Sequence, residues 1–207
     1  MHARIVAIIL SSLAGAAAAQ VGTSTGLLDA NSATETELRA APNVDAALAA
    51  KTVASRPFAS ASALDELLAA TLGKPQREQL YGRLFVTINL NKASRAEILL
   101  IPGMNDRMAH EFEEYRPYTS LEQFRREIGK YVPAAEVARL EQYVFVPMNL
   151  NSASGAAFLT IPGMTQRMVH EFEEYRPYTS FEQFRREIGK YVDQKEVARF
   201  ERYLVIE

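Results

Sequence analysis

Residues 88–147 read INLNKASRAEILLIPGMNDRMAHEFEEYRPYTSLEQFRREIGKYVPAAEVARLEQYVFVP. Residues 148–207 read MNLNSASGAAFLTIPGMTQRMVHEFEEYRPYTSFEQFRREIGKYVDQKEVARFERYLVIE, identical at 41 of 60 positions without a gap. A further step of 60 places Ala30-Asn31-Ser32-Ala33-Thr34 under Leu90–Ser94, Ala41-Pro42-Asn43 under Ile101-Pro102-Gly103, and Arg56-Pro57-Phe58 under Arg116-Pro117-Tyr118. A fixed period of this length is the mark of a repeat protein and divides the chain at 28–87, 88–147 and 148–207.

Inside one copy the punctuation is helical. Thr34-Glu35-Thr36-Glu37 and Ser94-Arg95-Ala96-Glu97 are capping boxes, while Ser154 keeps the cap and Ala157 loses the box. Pro102-Gly103 breaks the chain, since proline disfavours helix in the residue before it and glycine accepts angles other residues resist. Met108, Phe112 and Tyr115 then form one helical stripe, which Arg116-Pro117 ends. Thr119-Ser120-Leu121-Glu122 reads as a capping box for a third helix carrying Phe124 and Ile128 and stopped by Gly129. A fourth helix begins near Ala134, with Asp193 as its explicit cap in the last copy. The junction VFVPMNLN alternates too weakly to define strands and reads as linker. The expected fold is all-α, with four short helices per copy.

The first residues contain Arg4, an apolar run from Ile5 to Leu10 and small residues up to Ala17-Ala18-Ala19. This predicts a signal peptide over 1–19, a leader at 20–27 expected to be loose, and a periplasmic or secreted product. The apolar run falls well short of the roughly 20 residues that span a bilayer, so no membrane-spanning segment is expected after cleavage. The chain has no cysteine, which excludes disulfides and thiolate metal sites. Its net charge is -2, from 23 basic and 25 acidic residues, so no overall electrostatic footprint for nucleic acid exists.

The run NLNKASRAEILLIPGMNDRMAHEFEEYRPY resembles the tandem helix-hairpin-helix module of the exported DNA receptors of bacterial competence. The likeness covers 88–147 and 148–207 and extends more weakly to 28–87, so the resemblance implies three tandem 60-residue helix-hairpin-helix modules. It also implies double-stranded DNA as partner, gripped without base reading where hairpin amides meet a phosphate. The same physics holds without the family: free amides at a helix start form an anion site that glycine opens to close approach. The candidate phosphate-binding residues are Gly103, Met104, Asn105 and Arg107, with Gly163, Met164, Thr165 and Arg167. Asn105 and Thr165 stand where the family has glycine, and Met108 and Met168 where it commonly has a basic residue. Copy one has Asn43 and Asp45 at the two glycine positions, placing a carboxylate where a phosphate belongs.

Arg116 and Arg176 lead a second basic group, in which Arg125, Arg126, Lys130, Arg185, Arg186 and Lys190 are possible secondary DNA contacts. Glutamates are interleaved with them, so a solvated face of ion pairs is an equal reading. His110-Glu111 lacks the second histidine of a zinc motif, because Glu114 occupies that position, and His110 with Glu114 reads as a surface pair. No catalytic residues, metal or cofactor are expected. The alternative function is a non-catalytic protein-interaction or envelope scaffold with a protein partner, which stacked repeats suit.

Overall fold

A computed structural model of the chain describes residues 20–207; the predicted signal peptide lies outside the described residues. The first unit runs β1 (Leu28–Asp29), α1 (Glu35–Arg39), α2 (Ala46–Ala54), α3 (Ala61–Ala69), α4 (Lys74–Tyr81) and β2 (Leu84–Phe85). The second runs β3 (Ile88–Asn89), α5 (Arg95–Ile98), α6 (Asp106–Glu114), α7 (Leu121–Ile128), α8 (Ala134–Glu141) and β4 (Val144–Phe145). The third runs β5 (Met148–Asn149), α9 (Gly155–Phe158), α10 (Gln166–Glu174), α11 (Phe181–Ile188), α12 (Gln194–Glu201) and β6 (Leu204–Val205).

The strands overturn the all-α, helix-hairpin-helix repeat expected from the sequence: the fold is mixed α/β. Each unit closes on itself when its first and last strands pair in parallel, Leu28 opposite Leu84, Ile88 opposite Val144 and Met148 opposite Leu204. A parallel pair needs a long crossover, and here four helices supply it. The supposed linker VFVPMNLN contains β4 and β5. A strand of two residues is too short to display alternation, and its partner lies more than 50 positions away in sequence, so periodicity could not reveal it.

A side-chain latch fixes the middle of every unit to its start. Arg116 donates from Nε to the Leu90 carbonyl at 2.6 Å and from Nη2 to the Ala93 carbonyl at 2.7 Å. Asn91 donates to the Tyr118 carbonyl at 2.8 Å and accepts the Tyr118 amide at 2.6 Å. Arg56 with Asn31, and Arg176 with Asn151, repeat these bonds. The latch satisfies carbonyls and amides that the short strands leave open.

Apolar packing divides the molecule differently from the repeat. The first two units share one core, running from Ala30 and Leu38 through Phe85 to Phe112, Phe124 and Leu140. The third unit has its own, around Phe158, Phe172, Phe184 and Phe200, which also takes in Val21 and Phe145.

Val21 shows that the leader is not loose. It is only 3 % exposed and bridges antiparallel to Phe145, with the Gly22 amide on the Val144 carbonyl at 3.1 Å and the Val146 amide on the Gln20 carbonyl at 2.8 Å. Its polar composition concealed one apolar anchor. Gly22 is required by contact: a Cβ there would lie 1.7 Å from the Glu141 carbonyl oxygen. Gly22→Ala is expected to displace the leader and cost about 1–3 kcal/mol, as forced overpacking does. Urea unfolding and limited proteolysis measure this; an unchanged midpoint with the leader still protected would contradict the packing described.

Candidate nucleic-acid interface

The Pro-Gly turns carry the backbone geometry that an anion site requires. Gly103 and Gly163 have φ of 77° and 74°, in the left-handed region open to glycine, and Asn43 takes the same conformation at 63°. Each turn closes when the next amide bonds back, Met104 to the Ile101 carbonyl and Met164 to the Ile161 carbonyl, both at 3.0 Å. The Met104 and Met164 amides are therefore spent, and their half-buried side chains pack on the cores.

The chain then enters α6 or α10. Asn105 caps α6 by accepting the Met108 amide at 2.9 Å, and Thr165 caps α10 by accepting the Met168 amide at 3.2 Å. Capping satisfies one of the orphan donors at a helix start and leaves others. Among the described residues the amides of Gly103, Asn105, Asp106 and Arg107 have no acceptor, nor do those of Gly163, Thr165, Gln166 and Arg167. All eight residues are exposed.

Charge separates the two turns. Arg107 is exposed and forms no ion pair among the described residues, whereas the Arg167 guanidinium lies over the Tyr191 ring at 5.9 Å. Asp106 opens α6 with a carboxylate, and Arg95 offsets it through a 3.3 Å contact while holding Glu113 at 2.7 Å. Gln166 removes that charge from the third unit.

Two arginines missed by sequence reasoning complete the picture. A Cβ on Gly103 would lie 3.5 Å from Arg139 Nη2, and one on Gly163 would lie 3.2 Å from Arg199 Nη2. Both arginines are held by a glutamate one turn earlier: Arg139 by Glu136 at 2.8 and 2.7 Å, and Arg199 by Glu196 at 2.7 and 2.5 Å. Arg139 remains one-third exposed, whereas Arg199 is buried and also donates to the Pro162 carbonyl. The signal available was the repeated Glu-Val-Ala-Arg at 136–139 and 196–199, set against Gln79 in the first unit.

The first unit's turn is occupied by its own side chains. Asp45 accepts the Leu48 amide at 2.8 Å, and Asn43 donates to Gln79 Oε1 at 3.0 Å.

The second basic group is neutralised. Arg125 meets both Glu141 oxygens at 2.6 and 2.7 Å, Arg126 meets Glu127 at 2.7 Å, and Lys130 bonds the same glutamate. Arg185 with Glu201, Arg186 with Glu187 and Lys190 with Glu187 repeat the arrangement. Hydrogen bonds from Lys130 and Arg126 hold Glu127 below the usual carboxylate range, and Lys190 and Arg186 do the same for Glu187. Arg116 and Arg176 are committed to the latch. His110 contacts Glu114 at 2.9 Å on the surface. Tyr118 and Tyr178 are core, while Tyr131 is 37 % exposed with its hydroxyl on that of Tyr115 at 2.8 Å.

Arg116→Met is expected to lower stability by about 2 kcal/mol, because it strands two carbonyls that the guanidinium satisfies. Arg126→Met, at an exposed arginine whose partner Glu127 keeps its bond to Lys130, should change stability by less than about 1 kcal/mol. Chemical unfolding of the two variants tests the assignment; equal effects would remove the distinction between latch and surface arginines.

Comparison of the chain with protein-family models, with curated proteins and with solved structures gives no match.

Proposed function

We propose that the chain is a non-catalytic binder of double-stranded DNA that grips the phosphate backbone, chiefly through the second unit's turn at Gly103. One observation carries the reading: a left-handed glycine opens an exposed helix start whose amides lack acceptors, beside the unpaired Arg107 and within reach of Arg139. Amides and guanidinium groups recognise phosphate oxygens without distinguishing bases, so binding is not sequence-specific. The third unit's turn at Gly163 is a secondary contact. Export to the periplasm or exterior belongs to the same proposal and rests on residues 1–19. Among the described residues no helix is long and apolar enough to cross a membrane.

A second reading, a scaffold for a protein partner, draws on two observations. Glutamates neutralise the arginine-rich faces, and Leu99 and Leu159 stand 39 % and 37 % exposed just before the two glycine turns. Exposed apolar groups at equivalent positions suit protein docking more than phosphate contact.

Fluorescence anisotropy of a mixed-sequence duplex with residues 20–207 separates the two. Gly103→Asp should weaken binding by roughly tenfold or more, the worth of a charge-assisted hydrogen bond lost and a repulsion gained. Gly103→Asn should retain the turn, as Asn43 does in the first unit, and retain most of the affinity. Affinity should fall as salt rises, since phosphate contacts release counterions. No binding at about 50 mM salt, where phosphate contacts are strong, would defeat the DNA reading and leave the scaffold. Equal affinity of the Asp and Asn variants would move the contact away from Gly103.

A further inference from the structure

We propose that the third unit swings away from the first two to uncover its glycine turn, and that Asp29 and Arg202 set how tightly it closes. The functional consequence rests on the DNA reading, but the motion does not. Apart from Phe145 of the second unit and Val21 of the leader, which its core takes in, the third unit packs on itself, and this makes it a separable body. In the closed arrangement Ser32 of the first unit lies 3.7 Å from the position a Cβ on Gly163 would take, whereas only Arg139 lies that near Gly103. Gly163 is exposed to solvent, but a duplex seating on the turn would also meet Ser32. The second unit's turn has no such neighbour.

Few polar ties hold the closure. Arg202 donates from Nε to the Ala59 carbonyl at 3.1 Å and from Nη2 to the Thr87 carbonyl at 3.0 Å, and Tyr203 shares a hydrogen with Thr87 at 3.2 Å. A cleft of about 540 Å³ lies beside them, walled by Asp29, Ser32, Pro162 and Gly163 with part of the leader. Incomplete packing lowers the cost of parting two surfaces.

The junction also contains two charged groups with one unsatisfied atom each. Asp29 accepts the Asn31 amide through Oδ1 at 2.9 Å, while its Oδ2 is sealed from solvent without a partner, and Arg202 Nη1 is in the same condition. Burial pushes the Asp29 carboxyl above the ordinary carboxylate range against the pull of Arg202 and Arg199. The sequence-equivalent residues are uncharged: Asn89 and Asn149 for Asp29, and Gly82 and Gln142 for Arg202. Closing therefore desolvates a carboxylate oxygen at this junction alone. It opposes closure, and the Arg202 bonds to carbonyls favour it.

The opposite roles give opposite predictions. The chain has no cysteine, so spin labels placed at Glu35→Cys and Glu174→Cys, both exposed, report the distance between the first and third units. Arg202→Gln should enlarge the long-distance population several-fold, and Asp29→Asn should shrink it, as expected when a two-state balance shifts by about 1 kcal/mol. Both replacements copy residues the repeat already uses at those positions. Duplex affinity should rise in Arg202→Gln, and the gain should vanish when Gly163→Asp is added. One distance distribution shared by all three proteins would overturn the proposal, as would loosening by Asp29→Asn. A shifted distribution with no duplex binding would retain the motion and defeat only the DNA reading.

Discussion

The guanidinium of Arg116, spanning the Leu90 and Ala93 carbonyls, is the constraint on which the second unit's architecture rests, and Arg56 and Arg176 play the same part in their units. Two-residue strands offer few hydrogen bonds, and helices of four or five residues have little intrinsic stability. A planar, multi-donor group joins what these elements cannot. With Asn91 bonded twice to Tyr118, the latch fixes α5 and the corner before α7, so that α6 enters from a defined direction. The glycine turn between α5 and α6 is then presented outward. Hydrophobic burial supplies the driving force and the latch supplies the geometry.

Much of this was legible in the sequence. The period of 60, the glycine turns and the caps at Thr34, Ser94, Ser154 and Asp193 all depend on neighbours within a few positions. The box expected at Thr119 and Glu122 is displaced by one residue: Ser120 caps α7, and Thr119 bonds Gln123 instead. What could not be read was long-range. Parallel pairing joins residues 56 apart, Val21 reaches Phe145, and Arg139 approaches Gly103 from the far end of α8. The latch was visible only as repeated letters, because repetition does not say whether an arginine faces solvent or a carbonyl.

The same distinction reshapes the electrostatics. A count of basic residues made Arg125, Arg126 and Lys130 plausible contacts, yet each is satisfied by a carboxylate. Pairing of this kind satisfies the buried Glu127 and Glu141 and removes local field. At the Gly103 turn, among the described residues, the groups that remain open are backbone amides, which composition never reports, and Arg107. The proposed phosphate site is small and rests on geometry rather than on net charge.

Amide chemical shifts of the isotopically labelled chain, followed during titration with a mixed-sequence duplex, test that conclusion most directly. The account predicts perturbations centred on Gly103 and on Asn105 to Arg107, weaker changes at Gly163 to Arg167, and none over Arg125 to Lys130. Perturbations confined to the Arg125 face, or spread evenly over the surface, would contradict it.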